Sequence, residues 1–146
     1  MAMRREARFI AEFRRGIPRG AFFFKIPDLP VFRGSRLRFF GRRPFDAFMI
    51  YRGRVFAFEF KHFGGLTLPF SILSKGQERS LLQAERAGAF SFVVVNYRRG
   101  RRRNRCVAFP IRTFISLRKR YGKGLPYGAW DGALEMGREG GRWRVK

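Results

Sequence analysis

The sequence predicts an α/β fold with a mixed central sheet flanked by helices. Three observations carry that prediction. Two apolar runs joined at Arg52-Gly53 read as a β-hairpin, the unbroken run Phe90 to Asn96 reads as a strand buried on both faces, and residues 3–15, 75–87 and 111–121 read as helices. In chain order the elements are α, β, β, β, α, β, β, α.

The first helix, about residues 3–15, ends at Gly16, a residue that tolerates a left-handed C-cap, with Pro18 just beyond. At about 100° per residue, Phe9, Ile10 and Phe13 form one stripe, with Glu6 in its middle and Glu12 well off it. Glu6 is therefore either a third acid of a site or a first-turn acid favoured by the helix N-terminus. Ala21 to Ile26 reads as the first strand. A Pro/Gly/Arg loop follows, carrying Asp28-Leu29-Pro30 and the basic residues Arg33, Arg36, Arg38, Arg42 and Arg43, a composition able to hold phosphate.

The central hairpin carries three charges where a core would prefer none. A two-residue turn at Arg52-Gly53 pairs Tyr51 with Arg54, and counting back along both strands sets Asp46 opposite Glu59. Strand side chains alternate, so Asp46, Phe48 and Ile50 share a face with Val55, Ala57, Glu59 and Lys61, while Phe56, Phe58 and Phe60 face the other way. Two carboxylates at about 4 Å repel by about 4 kcal/mol in a surface-like dielectric. A divalent cation offsets that repulsion, since Mg²⁺ takes one or two carboxylates plus water and phosphate oxygens. Lys61, about 7 Å along the strand, would then orient a water or neutralise charge on a phosphate. The alternative is a structural ion pair on an edge hairpin.

Phe63-Gly64-Gly65 through Ser74 is a flexible connection, and Ser74 is placed to cap the helix from Lys75 to about Ala87. That helix turns Leu81, Leu82 and Ala84 inward, with Gln77 one turn before Leu81, a position that by itself reads as surface. After the strand Phe90 to Asn96, a loop at about residues 97–105 leads to a strand from Arg105 to Phe109. Arg98, Arg99, Arg101, Arg102, Arg103 and Arg105 fill six of eight positions, which reads as a basic loop against a phosphate backbone or as a solvated turn. A basic helix from Ile111 to about Tyr121 precedes a Gly-rich tail from about Gly122, with Trp130 and Trp143.

A chain of 146 residues and 17.2 kDa fits one domain, and no repeat or linker divides it. A net charge of +23 and a pI near 11.8 point to a polyanion, nucleic acid first. Only six of the 33 basic residues are Lys, and Arg suits bidentate phosphate contact. The single Cys106 and single His62 exclude an intramolecular disulfide, a Cys-based zinc cluster and a His-built metal site. No secretory signal follows Met1, and the uncharged stretches fall short of the roughly 18 residues a membrane span needs, so a soluble, cytoplasmic protein without membrane partners is expected.

A helix with a core-facing Glu, then Asp46 on one strand and Glu59-Phe60-Lys61 on the next, followed by a helix opened by Gln77, resembles the PD-(D/E)xK nuclease superfamily. Within it the chain is most similar to Holliday junction resolvases of the bacterial RecU and archaeal Hjc kinds, through Asp46, Glu59-Phe60-Lys61, Leu68-Pro69-Phe70 and Gln77, with Leu125-Pro126-Tyr127 faintly RecU-like. The resemblance implies a restriction-endonuclease-like core in which Asp46 and Glu59 bind Mg²⁺, or Mn²⁺ in its place. It also implies that Phe60 lends its carbonyl, Lys61 positions the attacking water, and Glu6 and Gln77 complete the site. Phe45 separates Pro44 from Asp46, a departure from the superfamily pattern. The expected function is metal-dependent cleavage of four-way DNA junctions by a homodimer, since two opposed cuts call for two sites related by a two-fold axis. The alternatives are a restriction-like or repair nuclease on duplex or flapped DNA, and a noncatalytic basic nucleic-acid-binding protein.

Overall fold

A computed structural model describes residues 2–27, 30–33, 36–39, 43–100, 104–139 and 142–145, with side chains for 5–27, 43–100 and 104–137. The elements run α1 (Ala2–Arg15), β1 (Phe22–Lys25), β2 (Pro30–Arg33), β3 (Arg36–Phe39), β4 (Ala47–Tyr51), β5 (Arg54–Phe63), β6 (Thr67–Pro69), a 3₁₀ turn (Phe70–Ile72), α2 (Lys75–Arg86), β7 (Phe90–Tyr97), β8 (Arg105–Pro110), α3 (Ile111–Tyr121), β9 (Gly124–Pro126), β10 (Leu134–Glu139) and β11 (Arg142–Val145). Seven strands form one sheet in the order β1-β4-β5-β7-β8-β10-β11. Only β5 and β7 are parallel, joined through α2, and the other neighbours are antiparallel. The sheet is mixed, as the sequence predicts.

The two faces bury different sets of residues. On one, Phe9, Ile10 and Phe13 of α1 pack on Phe23, Met49, Phe58, Phe60 and Val94. Phe13 meets the rings of Phe60 and Phe58 edge-on at 5.0 and 5.1 Å, each contact adding about 0.5–1.5 kcal/mol beyond burial. On the other face, Leu81 of α2 and Ile111, Phe114 and Leu117 of α3 cover Ala57, Val93, Val95, Val107 and Phe109. The unbroken apolar run of β7 is explained by this division, with Val94 serving one face and Val93 and Val95 the other.

The hairpin turn forms as predicted. Arg52 and Gly53 both take positive φ (50° and 73°), the geometry that matches a two-residue turn to strand twist, and Tyr51 pairs with Arg54. Gly16 does not adopt the left-handed cap expected of it; α1 ends instead in a turn closed by the Gly16 N–H to the Phe13 carbonyl at 3.0 Å.

Three further segments differ from expectation. The Arg-rich loop contains an antiparallel pair of strands, β2 and β3, with Arg33 opposite Arg36. The flexible connection is tied down because β6 pairs with β9 of the Gly-rich tail. Further along that tail, β10 pairs with β8 and β11 with β10, adding two strands to the main sheet. Strand β11 also packs against α1. Glu12, expected off the buried stripe, is 8% exposed and paired with Arg8 at 3.2 Å, while Glu6 is half-buried.

Candidate active site

Asp46 sits immediately before β4 and is fixed on both sides. Its N–H donates to the Phe58 carbonyl at 3.0 Å, and its own carbonyl accepts from the Ile26 N–H at 2.8 Å. Beyond this point β5 has no β4 backbone to pair with, and the Phe60 N–H donates instead to Asp46 Oδ2 at 2.7 Å. The other carboxylate oxygen, Oδ1, lies 2.7 Å from Arg43 Nη2, and the same guanidinium donates to the Ile26 carbonyl at 3.3 Å. The carboxylate is thus held by the strand it faces and by a cation three residues earlier.

Glu59, on β5, belongs to a second set of contacts. Gln77 Nε2 donates to Glu59 Oε1 at 3.0 Å, and Lys61 Nζ lies 3.5 Å from that oxygen while donating to Gln77 Oε1 at 3.0 Å. Gln77 is itself locked by the start of α2. Its side-chain oxygen accepts from the Ser74 N–H at 3.0 Å and its N–H donates to Ser74 Oγ at 3.1 Å, a capping box that satisfies two otherwise unpaired donors. The first turn of α2 therefore positions both Glu59 and Lys61.

The acid pair is buried, Asp46 at 2% exposure and Glu59 at 4%, and both carboxyl groups face the same cleft. Burial first, and the Asp46 charge second, push the Glu59 carboxyl up from its ordinary 4.5 to about 7, with Lys61 acting in opposition. Arg43 and Lys61 thus supply some of the neutralisation that a metal was expected to provide. Lys61 does not outweigh the other effects on Glu59, so the pair retains a demand for positive charge. Among the described residues no group of three or more His, Cys, Asp or Glu is arranged to hold a metal. Two carboxylates and no softer donor fit Mg²⁺ or Mn²⁺, with water and phosphate oxygens as the remaining ligands.

The pair opens into a cleft of about 420 Å³ lined by Arg43, Asp46, Glu59, Ser74, Gly76, Gln77, Arg79 and Ser80. Asp46, Glu59 and Lys61 are brought together as their spacing predicts, and Gln77, which by position alone reads as surface, joins them. Glu6 does not line the cleft. It rides on α1, over the opposite sheet face, close enough to His62 for its charge to oppose the burial that lowers that imidazole's pKa. Arg43, expected on a phosphate-binding loop, is turned inward to Asp46. The side chains of Arg33, Arg36 and Arg38, together with Arg42, Arg101, Arg102 and Arg103, lie outside the described residues. In the basic loop, the Arg98 N–H donates to the Phe63 carbonyl at 2.8 Å, and Arg99 stacks 3.9 Å over the Tyr127 ring. In the parallel β5–β7 register Lys61 stands beside Val95 and Phe63 beside Tyr97, so this loop leaves the sheet at the Lys61 end of β5.

Ser74 caps α2 as expected, and three features of the site go beyond the sequence reading: the Arg43–Asp46 pair, the cleft-lining Arg79 and Ser80, and the reciprocal Gln77 half of the capping box. The string Ser74-x-x-Gln77 is the signature of that last device.

Comparison with solved structures finds similarity to Archaeoglobus fulgidus Hjc, a Holliday junction resolvase from an archaeal hyperthermophile. The TM-score is 0.55 at 20% identity, over 91% of this chain and 94% of that one. The two share a fold. No family profile matches the sequence, and no curated protein sequence does.

Proposed function

We propose that this chain is a metal-dependent, structure-selective endonuclease that cuts four-way DNA junctions as a homodimer. One observation carries the reading: Asp46 and Glu59 are buried together at one cleft, with Lys61 and Gln77 tied to Glu59. When bound, Mg²⁺ or Mn²⁺ would supply Lewis-acid activation of water and of the phosphate, held by Asp46, Glu59 and the carbonyl of Phe60. Asp46 is preorganised for this by the Phe60 N–H, and Glu59 by Gln77. Lys61, its ammonium fixed by Gln77, orients the attacking water and faces the charge that grows on the phosphate as the water oxygen bonds to phosphorus and a P–O ester bond breaks. Arg79 at the cleft and the basic loop at the same end of β5 supply phosphate contacts.

The fold shared with a protein described as a Holliday junction resolvase supports the junction as substrate. An exposed apolar patch supports pairing of two copies. Phe22 (56% exposed) and Phe24 (44%) on edge strand β1 stack on each other and adjoin Phe48, Ile50 and Val55 on the face that carries the acids. The test is incubation of labelled four-way junction, linear duplex and single strand with and without Mg²⁺. Paired nicks on the junction alone, dependent on Mg²⁺ and abolished in Asp46→Asn, are expected. Equal cutting of duplex would replace the junction reading with a restriction-like one, and binding without cutting under all conditions would leave a noncatalytic nucleic-acid-binding protein.

A further inference from the structure

The Arg43 guanidinium occupies the position on Asp46 that a cation would claim. Oδ2 already accepts from the Phe60 N–H, and Oδ1, with no backbone donor among the described residues, is the oxygen that Arg43 Nη2 meets at 2.7 Å. A divalent cation on Oδ1 would stand within a few ångströms of the guanidinium, and like charges that close in a buried site are strongly unfavourable. Arg43 is not built in as a permanent core residue. Its side chain is 23% exposed, it lines the cleft, and its carbonyl contact at Ile26 is long at 3.3 Å. Lys61 differs, because its hydrogen bond to Gln77 holds it to one side of Glu59.

We propose that Arg43 is a displaceable counter-ion: it neutralises Asp46 in the metal-free protein and must leave Oδ1 before a divalent cation binds there. This rests on the metal site proposed above. It assigns to Arg43 a role opposite to that of a supporting residue, and the two roles predict opposite signs. An arginine that merely orients Asp46 would, when removed, leave the carboxylate loose and the metal weaker. A competitor, when removed, leaves the metal tighter.

The experiment is Mn²⁺ titration of the EDTA-stripped full chain without DNA, followed by calorimetry and by the decline of the free Mn²⁺ electron paramagnetic resonance signal. Wild type, Arg43→Gln, Arg43→Lys and Asp46→Asn are compared, with thermal unfolding confirming that each is folded. Arg43→Gln should bind Mn²⁺ about tenfold tighter, within the range usual for coupling between two ligands of one site. Arg43→Lys, which keeps the charge, should stay close to wild type. An Asp46-dependent site in wild type with unchanged or weaker affinity in Arg43→Gln overturns the role of Arg43 while the metal site stands. No Asp46-dependent binding in either protein overturns both.

Discussion

Glu59→Gln should make the metal-free protein more stable while removing its capacity to bind the cation. In the native state the Glu59 carboxyl holds its proton up to about pH 7, against an ordinary 4.5, because ionisation there means a charge in a buried site beside Asp46. The folded state therefore binds the proton more tightly than the unfolded state, and the sign follows. The contribution is fully present below pH 4.5, is lost as pH rises from 4.5 to 7, and stays lost above 7. A shift of that size corresponds to at most about 3 kcal/mol. The site is 4% exposed, so solvent screens little of it. Glutamine keeps an oxygen for Gln77 Nε2 and never ionises; Lys61 retains its bond to Gln77. In EDTA, the melting temperature of Glu59→Gln should match wild type near pH 4 and exceed it by roughly 6–12 °C at pH 8, at the few degrees per kcal/mol usual for a chain of this size. Saturating Mg²⁺ should raise wild type and leave the variant unmoved. A pH-independent gap, or a variant less stable than wild type at pH 8, would show that the acid pair is not strained by its own charge.

Other expectations concern the cleft, the basic loop and the edge strand. Asp46→Asn and Lys61→Ala should each lower single-turnover cleavage of a junction by at least about 100-fold with DNA affinity largely kept, because they act on the reacting phosphate and not on the bulk of the duplex; a variant that cuts at the wild-type rate removes its residue from the site. Replacing Arg98, Arg99, Arg101, Arg102 and Arg103 together with Ser should weaken binding across sequences and flatten the slope of log affinity against log salt by about 0.9 for each phosphate left without its cation; an unchanged slope would move the DNA-binding surface to residues 33–43. Phe22→Ser with Phe24→Ser should convert a dimer to a monomer in high-salt sedimentation while leaving the helix content intact, and a dimer that persists would place the interface elsewhere.

Strong periodic signals in the chain predicted the elements around the site well. The hairpin, the doubly buried β7 and helix α3 are legible because a turn dipeptide, an apolar run and a helical stripe each repeat a simple pattern, and the hairpin alone was enough to bring Asp46 and Glu59 together. What the sequence hid depended on partners far along the chain. Strand β11, which packs against α1, is only four residues, in which Trp143 and Val145 alternate with Arg142 and Arg144, too short a run to read as a strand. Leu134–Glu139 carries Gly137 and several charges, so its strand character comes from pairing with β8 and not from propensity. Arg43 is hidden in a crowd of arginines, where composition argues for phosphate and gives no sign that one member turns inward.

Position 77 answers to two unrelated requirements at once, and few side chains meet both. Capping α2 asks for glutamate or glutamine there, since either can accept from the Ser74 N–H. The acid pair asks for a donor to Glu59 and an acceptor for Lys61, and cannot take a third negative charge. Glutamate would complete the cap and set a carboxylate against Glu59; asparagine would be too short to span from the helix to β5. Glutamine alone among the capping residues reaches, donates and stays neutral. A substitution chosen for helix stability and one chosen for the site would thus be tested at the same side chain.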